Sequence, residues 1–308
     1  MPTSTPFAPT DRPDVRDEGR SGPGDPPARE VLVGVDGSEC GLSAVRWAAL
    51  EAARRNAPLR ILHAAPYLRR RSGTTTPSPE LPRARRITAQ AYTVALHTAP
   101  GVPVATEVVP DQPTTSLLSA AADGQLVVLG SCATGAADEM VLASVAMKVS
   151  ARSPQPVIIV PRRRGGEPTG RPAVAILGVG DRDDDEAVAS FAAAAAERLD
   201  VPLSVLQTRP VRRRVPDSWV DDPDEWGRRH PDLEVHRTDL PAARAEQVLG
   251  ATCPSPLLVI SVGQGDLLHR NLDGPHRWLL RHSTSPMALI PRAHRPELES
   301  REEIVARS

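Results

Sequence analysis

The chain has 308 residues, 40% hydrophobic and only 3% aromatic, with a formal net charge of -1. That length predicts two domains, and near-neutrality removes any bulk drive toward nucleic acid or an anionic membrane. There is no apolar run of about 18 residues for a membrane span and no apolar core for a secretory signal in the first thirty residues, while Cys40, Cys132 and Cys253 are too few for a disulfide framework or a zinc site, so a reducing cytoplasm is the expected compartment.

Residues 1–29 are rich in Pro, Asp, Arg, Gly and Ser. They cannot bury enough apolar surface to offset their ordering entropy, so a disordered tail is expected. The folded part opens with EVLVGV, Glu30–Val35, a branched apolar strand that halts at Asp36, Gly37 and Ser38. Leu42, Val45, Ala49, Ala52 and Ala53 then recur at helical spacing. Two readings of Asp36 stand side by side: the acid ends the strand and helps cap the helix, or it holds something at the strand's tip.

A second strand follows at Leu59–Ala65, then a polar loop and a helix ending near Leu96. Val102–Val109 is a third strand, and Pro113 opens a short helix through Ala122. Gln125–Ser131 is the fourth strand, Val141 to Ala151 a helix, and Pro156–Pro161 the fifth strand. Strands alternating with helices imply a parallel sheet with right-handed crossovers. Residues 162–172, with their Arg, Gly and Pro, read as a linker.

The second half, 173–291, repeats the order. Ala173–Val179 is a strand and Asp183 to Arg198 an Ala-rich helix. PLSVLQT, LEVHRTD, PLLVISV and PMALIP are further strands. An unassigned segment lies around Trp219 to Arg229, one helix starts at Pro241, and another lies near His276 to Arg281. VAMKVSARSPQPVIIVP, ending at Pro161, lies without gaps over HRWLLRHSTSPMALIP, ending at Pro291. This is an internal duplication. Residues 292–308 form a charged tail.

Three stretches carry a family likeness: VGVDGSE (Val33–Glu39), SAVRWAALEAARRNAPLRILHA (Ser43–Ala64) and LVVLGSCATGAADEMVLASVAMKVSARSPQPVIIVP (Leu126–Pro161). In this order and spacing the sequence resembles the universal stress protein family in its tandem two-domain form. The resemblance implies an α/β fold of two tandem doubly wound domains. Each is an open five-stranded parallel sheet in the order 3-2-1-4-5 with helices on both faces. It also implies dimers paired through the fifth strands. Here PVIIVP and PMALIP would pair antiparallel as a pseudo-dimer within one chain, with a homodimer as a further assembly.

The resemblance implies ATP, with magnesium, bound in the first domain by Val35, Asp36, Ala64, Gly130, Ala133, Ala143, Ser144 and Val145. The acid meets the nucleoside, the adenine lies near Ala64, and the phosphates sit under a loop of the form G-x-x-G-x9-G-[ST]. That pattern falls on Gly130, Ala133, Ala143 and Ser144, so two of three glycines are alanine. An alanine is strained where the backbone must be left-handed. The loop has no Lys or Arg and carries Asp138 and Glu139, which oppose a triphosphate. In the second half Gly180, Ser261, Gln264, Gly274 and Pro275 fall in the family positions, so that domain is expected to be a degenerate partner.

The implied role is regulatory, with adenine nucleotide and protein partners, and not that of a dedicated enzyme beyond slow incidental ATP hydrolysis. The alternative is a nucleotide-free interaction scaffold of the same fold. An adenylating enzyme would need an SGGxDS-like loop, which GVDGSE does not match. No metal-ligand spacing appears among the histidines, and His63 is expected to pack beside the second strand. Cys40 and Cys132 would lie around one crevice, which makes a redox pair conceivable, although buried or incidental thiols are commoner.

Overall fold

The computed structural model describes residues 29–68, 80–131, 139–161, 174–178, 182–207, 229–239, 255–261, 279–280 and 282–291. The two tails, the linker, the segment from Trp219 to Arg228 and the helix expected from Pro241 lie outside the described residues.

The first half runs β1 (Val31–Gly34), α1 (Glu39–Arg54), β2 (Leu59–Ala64), a 3-10 turn at Pro66–Leu68, α2 (Leu81–Thr98) and β3 (Val104–Val109). It continues with α3 (Pro113–Ala121), β4 (Leu126–Ser131), α4 (Glu139–Ser150) and β5 (Val157–Pro161). The second half contributes β6 (Val174–Gly178), α5 (Arg182–Leu199), β7 (Leu203–Gln207), β8 (Val235–Asp239), β9 (Leu257–Ser261) and β10 (Met287–Ile290). The strands form one sheet in the order β3-β2-β1-β4-β5-β10-β9-β6-β7-β8. Each half therefore has the order 3-2-1-4-5, and all pairings are parallel except β5 with β10, which is antiparallel.

The strand sequences divide their side chains by alternation. Val31, Val33, Val35, Leu59, Ile61, Val128 and Ile158 enter one core, which α1 and α2 cover with Ala44, Ala48, Ala91 and Ala95. Leu32, Leu62, Val127, Leu129 and Ile159 enter the other, under Leu117 and Ala121 of α3 and Ala146 and Val149 of α4. The alanines let these helices approach the sheet closely, which is how a chain so poor in aromatics fills its interior. Both cores continue across the β5–β10 seam. Val188, Ala192 and Ala196 of α5 join the first, and Leu258, Ile260 and Met287 join the second.

The duplication is visible in detail. Ser153 Oγ donates to the Gln155 carbonyl at 2.8 Å and accepts from Gln155 N at 3.1 Å; Ser283 does the same with Ser285, at 2.9 and 3.1 Å. Asn56 after α1 and Asp200 after α5 both take positive φ, 49° and 53°, in keeping with the tolerance of Asn and Asp for that region. The strand pairing corrects one detail of the repeat. Gly34 pairs with Leu62, whereas Gly178 pairs with Gln207 and Leu177 with Leu206. Register therefore sets Leu177, not Gly178, in the place of Gly34. The residues that follow, Val179 and Gly180, one of which would fall at the place of Asp36, lie outside the described residues.

Across the seam, Met287 faces Ile159 and Leu289 faces Val157. Cysteines at Ile159 and Met287, in a chain with its native cysteines replaced, are expected to close a bridge within a monomer under mild oxidation. A non-reducing gel showing free thiols or only intermolecular products, from a folded variant, would contradict this pairing.

Candidate functional site

β1 and β4 are adjacent, yet the helices that follow them leave on opposite faces: α1 packs on the first core and α4 on the second. In an open α/β sheet such a switch point opens a crevice at the carboxyl ends of the strands. A cavity of about 130 Å³ lies there, lined by Gly34, Val35, Asp36, Gly41, Leu62, His63, Ala64, Pro113, Leu117, Leu129, Gly130, Val145 and Ala146. Its walls are apolar apart from Asp36, His63 and backbone. It is below the ~300–1,000 Å³ of pockets that enclose a drug-sized molecule. There is room for a ring-sized group, and the rest of a larger ligand would lie outside.

The local sequence builds the acid's position. Gly37 takes φ +89°, a turn that an L side chain resists. Ser38 N-caps α1, its Oγ accepting from Gly41 N at 3.1 Å. Asp36 Oδ1 in turn accepts from Ser38 N at 2.9 Å and from the Ser38 hydroxyl at 2.6 Å. Asp36 is exposed, and its Oδ2 has no partner among the described residues. The two readings of this acid are thus compatible: one oxygen braces the cap while the other is left to the crevice. Gly41 leaves room beside it, since a Cβ there would stand 2.8 Å from Asp36 Oδ1 and push the carboxylate out of its bonds to Ser38.

His63 closes the opposite wall. The residue is 5% exposed; Nδ1 lies 2.8 Å from the Val35 carbonyl and Nε2 3.0 Å from the Tyr67 hydroxyl. A carbonyl only accepts, so Nδ1 carries the proton and donates to it, and in the neutral ring Nε2 accepts from Tyr67. The expected packing role for His63 is therefore incomplete, because it also lines the cavity.

Of the eight expected site residues, the cavity brings together Val35, Asp36, Ala64, Gly130 and Val145. Ala133 lies outside the described residues. Ala143 and Ser144 belong to α4, and only their backbone is described. Sequence reasoning missed the rest of the lining, Gly41, His63, Leu117 and Leu129 among them. Gly41 had a signal, since a glycine inside a helix implies a packing reason. Leu117 had none, because α3 reaches the crevice only through the tertiary fold, and Leu129 reads as an ordinary core residue of β4. No Lys or Arg is among the described residues of the lining. No group of three or more His, Cys, Asp or Glu that could hold a metal occurs among the described residues.

Residues 27–161 match the model of the Universal stress protein family. That stretch contains the whole 3-2-1-4-5 sheet and every residue of the crevice. Residues 27–161 belong to the universal stress protein family. The likeness extends beyond this domain. Universal stress protein Rv2624c of Mycobacterium tuberculosis (strain H37Rv) is 25% identical over 279 residues, spanning 88% of this chain and 100% of that protein. The crystal structure of a universal stress protein from Archaeoglobus fulgidus DSM 4304 superposes with a TM-score of 0.63 at 12% identity, covering 87% of this chain and 97% of its own. That likeness extends the fold over both halves. A universal stress protein from Archaeoglobus fulgidus in complex with dAMP aligns with 42% of this chain and 96% of its own, at 21% identity and a TM-score of 0.34. Among the described residues, no helix of the chain is long and apolar enough to cross a membrane.

Proposed function

We propose that the first domain binds an adenine nucleotide, ATP in the first instance, and that the protein is a cytoplasmic regulatory binder and not a dedicated enzyme. The observation that carries this reading is the crevice at the β1/β4 switch point, with the unpartnered Oδ2 of Asp36 at its rim. A carboxylate suits a ribose hydroxyl, and the apolar wall of Leu62, Leu117, Leu129 and Val145 suits a flat base. These residues fit the nucleoside end. The phosphate end is less well served, because no cation lines the described cavity and α4 begins at an acid, Glu139. Magnesium would then be brought by the phosphates, which bind it well. Changes in bound nucleotide would be passed to protein partners through the surface around the crevice.

Calorimetric titration of the purified chain with ATP and magnesium is expected to give one site per chain, since neither Val179 nor Gly180 offers an acid at that point of the second half's sequence. Asp36→Ala removes a charge-assisted hydrogen bond worth about 1.5–3 kcal/mol, so affinity should fall roughly ten- to hundredfold. Unchanged affinity in that variant would sink the assignment. The second reading, a nucleotide-free scaffold, is favoured by the missing cations and by the bonds from Ser38 to Asp36. It predicts no binding by the wild type, with binding regained by Ala133→Gly combined with Ala143→Gly.

A further inference from the structure

Near its start α2 carries Arg83, Arg85 and Arg86, all three exposed, and the helix contains no acid. Cations at a helix N-terminus oppose the macrodipole, so helix stability does not account for them. We propose that Arg83 is a specificity-determining residue of the crevice: it holds the anionic end of the ligand, whose phosphates leave the cavity toward α2 and not toward α4. This role rests on the nucleotide reading above and deepens it.

The turn at Gly37 places this arginine. A Cβ at Gly37 would stand 3.0 Å from Cγ1 and 3.1 Å from Cδ1 of Ile87, so α2 packs on the residue next to Asp36. Arg83 precedes Ile87 by one turn, on the same flank of the helix and about 6 Å nearer its start. Helical side chains lean toward the N-terminus, and Arg83 does so: its Nη1 lies 3.9 Å from Glu80 Oε2. α2 follows β2, so its start lies at the carboxyl end of the sheet, where the crevice opens. The Arg83 side chain is 73% exposed, and an ion pair so long and so wet holds it weakly. Little is lost when it turns to the crevice mouth. Arg85 lies about 200° round the helix from it, on the other flank.

The exit toward α4 is poorer. By resemblance the phosphates would lie at Gly130 and the start of α4. Yet the side of Gly130 that a Cβ would take is filled by the Cys40 carbonyl, and Gly130 does not take the positive φ that a phosphate-loop glycine exploits. α4 opens on Glu139, which repels a phosphate, and no Lys or Arg is among the described residues of the lining. Toward α2 the guanidinium of Arg83 offers a planar fork to two phosphate oxygens. Asp36 and Glu39 are exposed acids at the start of α1, so a phosphate is accepted on that side only with a cation opposite. The cavity, about 130 Å³, holds a ring-sized group and leaves the phosphates outside it, at the rim. Adenosine then meets Asp36 and the apolar wall alone, and ATP meets Arg83 as well.

The test titrates the full chain with ATP, AMP and adenosine at fixed magnesium, as wild type, Arg83→Gln and Arg85→Gln, with thermal unfolding to confirm that both variants fold. The wild type should bind ATP more tightly than adenosine. Arg83→Gln should weaken ATP about tenfold, the loss of one charge-assisted fork, and leave adenosine unchanged. Arg85→Gln makes the same change in net charge on the other flank and should bind all three as the wild type does. ATP, but not adenosine, should slow phenylglyoxal modification of Arg83, read by mass spectrometry, and neither should protect Arg85. Wild-type ATP affinity in Arg83→Gln, an equal loss in Arg85→Gln, or no protection of Arg83 overturns the role of Arg83. Equal affinity of the wild type for ATP and adenosine overturns it too, while the nucleoside reading stands. Binding of none of the three to the wild type removes the nucleotide reading, and this role with it.

Discussion

Glu51→Ala is expected to cost about 3–5 kcal/mol of stability, the loss typical of removing one partner from a buried charge cluster. Glu51 is 5% exposed and lies on α1 where the two halves meet. Its Oε1 accepts from Arg55 Nε at 2.7 Å and stands 3.4 Å from Nη2 of Arg198, on α5 of the second half; Arg54 Nη1 is 3.8 Å from its Oε2. Arg55 also lies over the Phe191 ring, 5.6 Å from its centroid. One carboxylate thus faces three guanidinium groups. The cluster is already short of acceptors, since Arg55 Nη2 and Arg198 Nε and Nη2 are buried without a hydrogen-bond partner. Burial, followed by repulsion from Arg55, pulls the Arg198 guanidinium below its ordinary pKa, and Glu51 opposes both. Removing the acid leaves the repulsion uncompensated at the seam. Urea titrations of the wild type, Glu51→Ala and Glu51→Gln test this, with the glutamine variant in between because it keeps an acceptor and loses the charge. Wild-type stability for the alanine variant would show that the seam is held by its apolar core alone.

Much of the fold was legible because the sequence states it twice in local terms. Branched apolar runs end at turn residues, and helical spacing appears between them, so the described strands fall within a residue or two of expectation. The serine turns before β5 and β10 were implicit in the gapless match of the closing segments. The one-residue slip between Gly34 and Gly178 was not legible. Two glycines in similar apolar runs invite alignment by eye, and only the pairing of β6 with β7 shows that Leu177 holds the equivalent place. The Glu51 cluster was invisible for a different reason. Arg198 meets Glu51 only because helices far apart in sequence, α1 and α5, are brought near each other at the seam, and no local pattern encodes such a contact.

At the site, the polar residue at the end of β1 was legible, since an acid that stops an apolar run is conspicuous. The crevice wall was not. Leu117 and Leu129 are ordinary core residues by pattern; Leu117 reaches the cavity because α3 covers the end of β1, and Leu129 because β4 lies beside β1. His63 was assigned to packing because a histidine in a strand usually packs. Its bond to the Val35 carbonyl depends on β2 lying beside β1. The meaning of Gly130 also changes. By resemblance it is a phosphate-loop glycine, chosen for backbone freedom. Yet Gly37 is the only described glycine with positive φ, so Gly130 needs its missing side chain for another reason.

That reason makes Gly130→Ala the sharper of two substitutions at the crevice. The added Cβ would stand 2.3 Å from the Cys40 carbonyl oxygen, 2.5 Å from its carbon and 2.9 Å from Gly41 N. All three are backbone atoms in the first turn of α1, which the Ser38 cap and the Ala44–Ala48 face hold against the sheet. No rotamer change can relieve the contact, so α1 must shift. Overpacking of this kind costs about 1–3 kcal/mol, and the upper end is expected where rigid backbone must yield. Gly34→Ala is the instructive contrast. Its Cβ would meet Leu129 Cδ2 at 2.7 Å and Leu117 Cδ2 at 3.0 Å, side-chain tips that can turn away into the cavity, so the loss should be about 1 kcal/mol. Gly101→Ala, with nothing within 4 Å, should change stability by under ~0.5 kcal/mol. Thermal and urea unfolding of the three variants ranks them. If Gly130 were kept only for a ligand, its alanine variant would be as stable as the Gly101 variant and lose nothing but nucleotide affinity; if it is kept so that α1 can seat on β4, stability falls first, and binding falls with it because Asp36 and Gly41 are carried on the displaced turn.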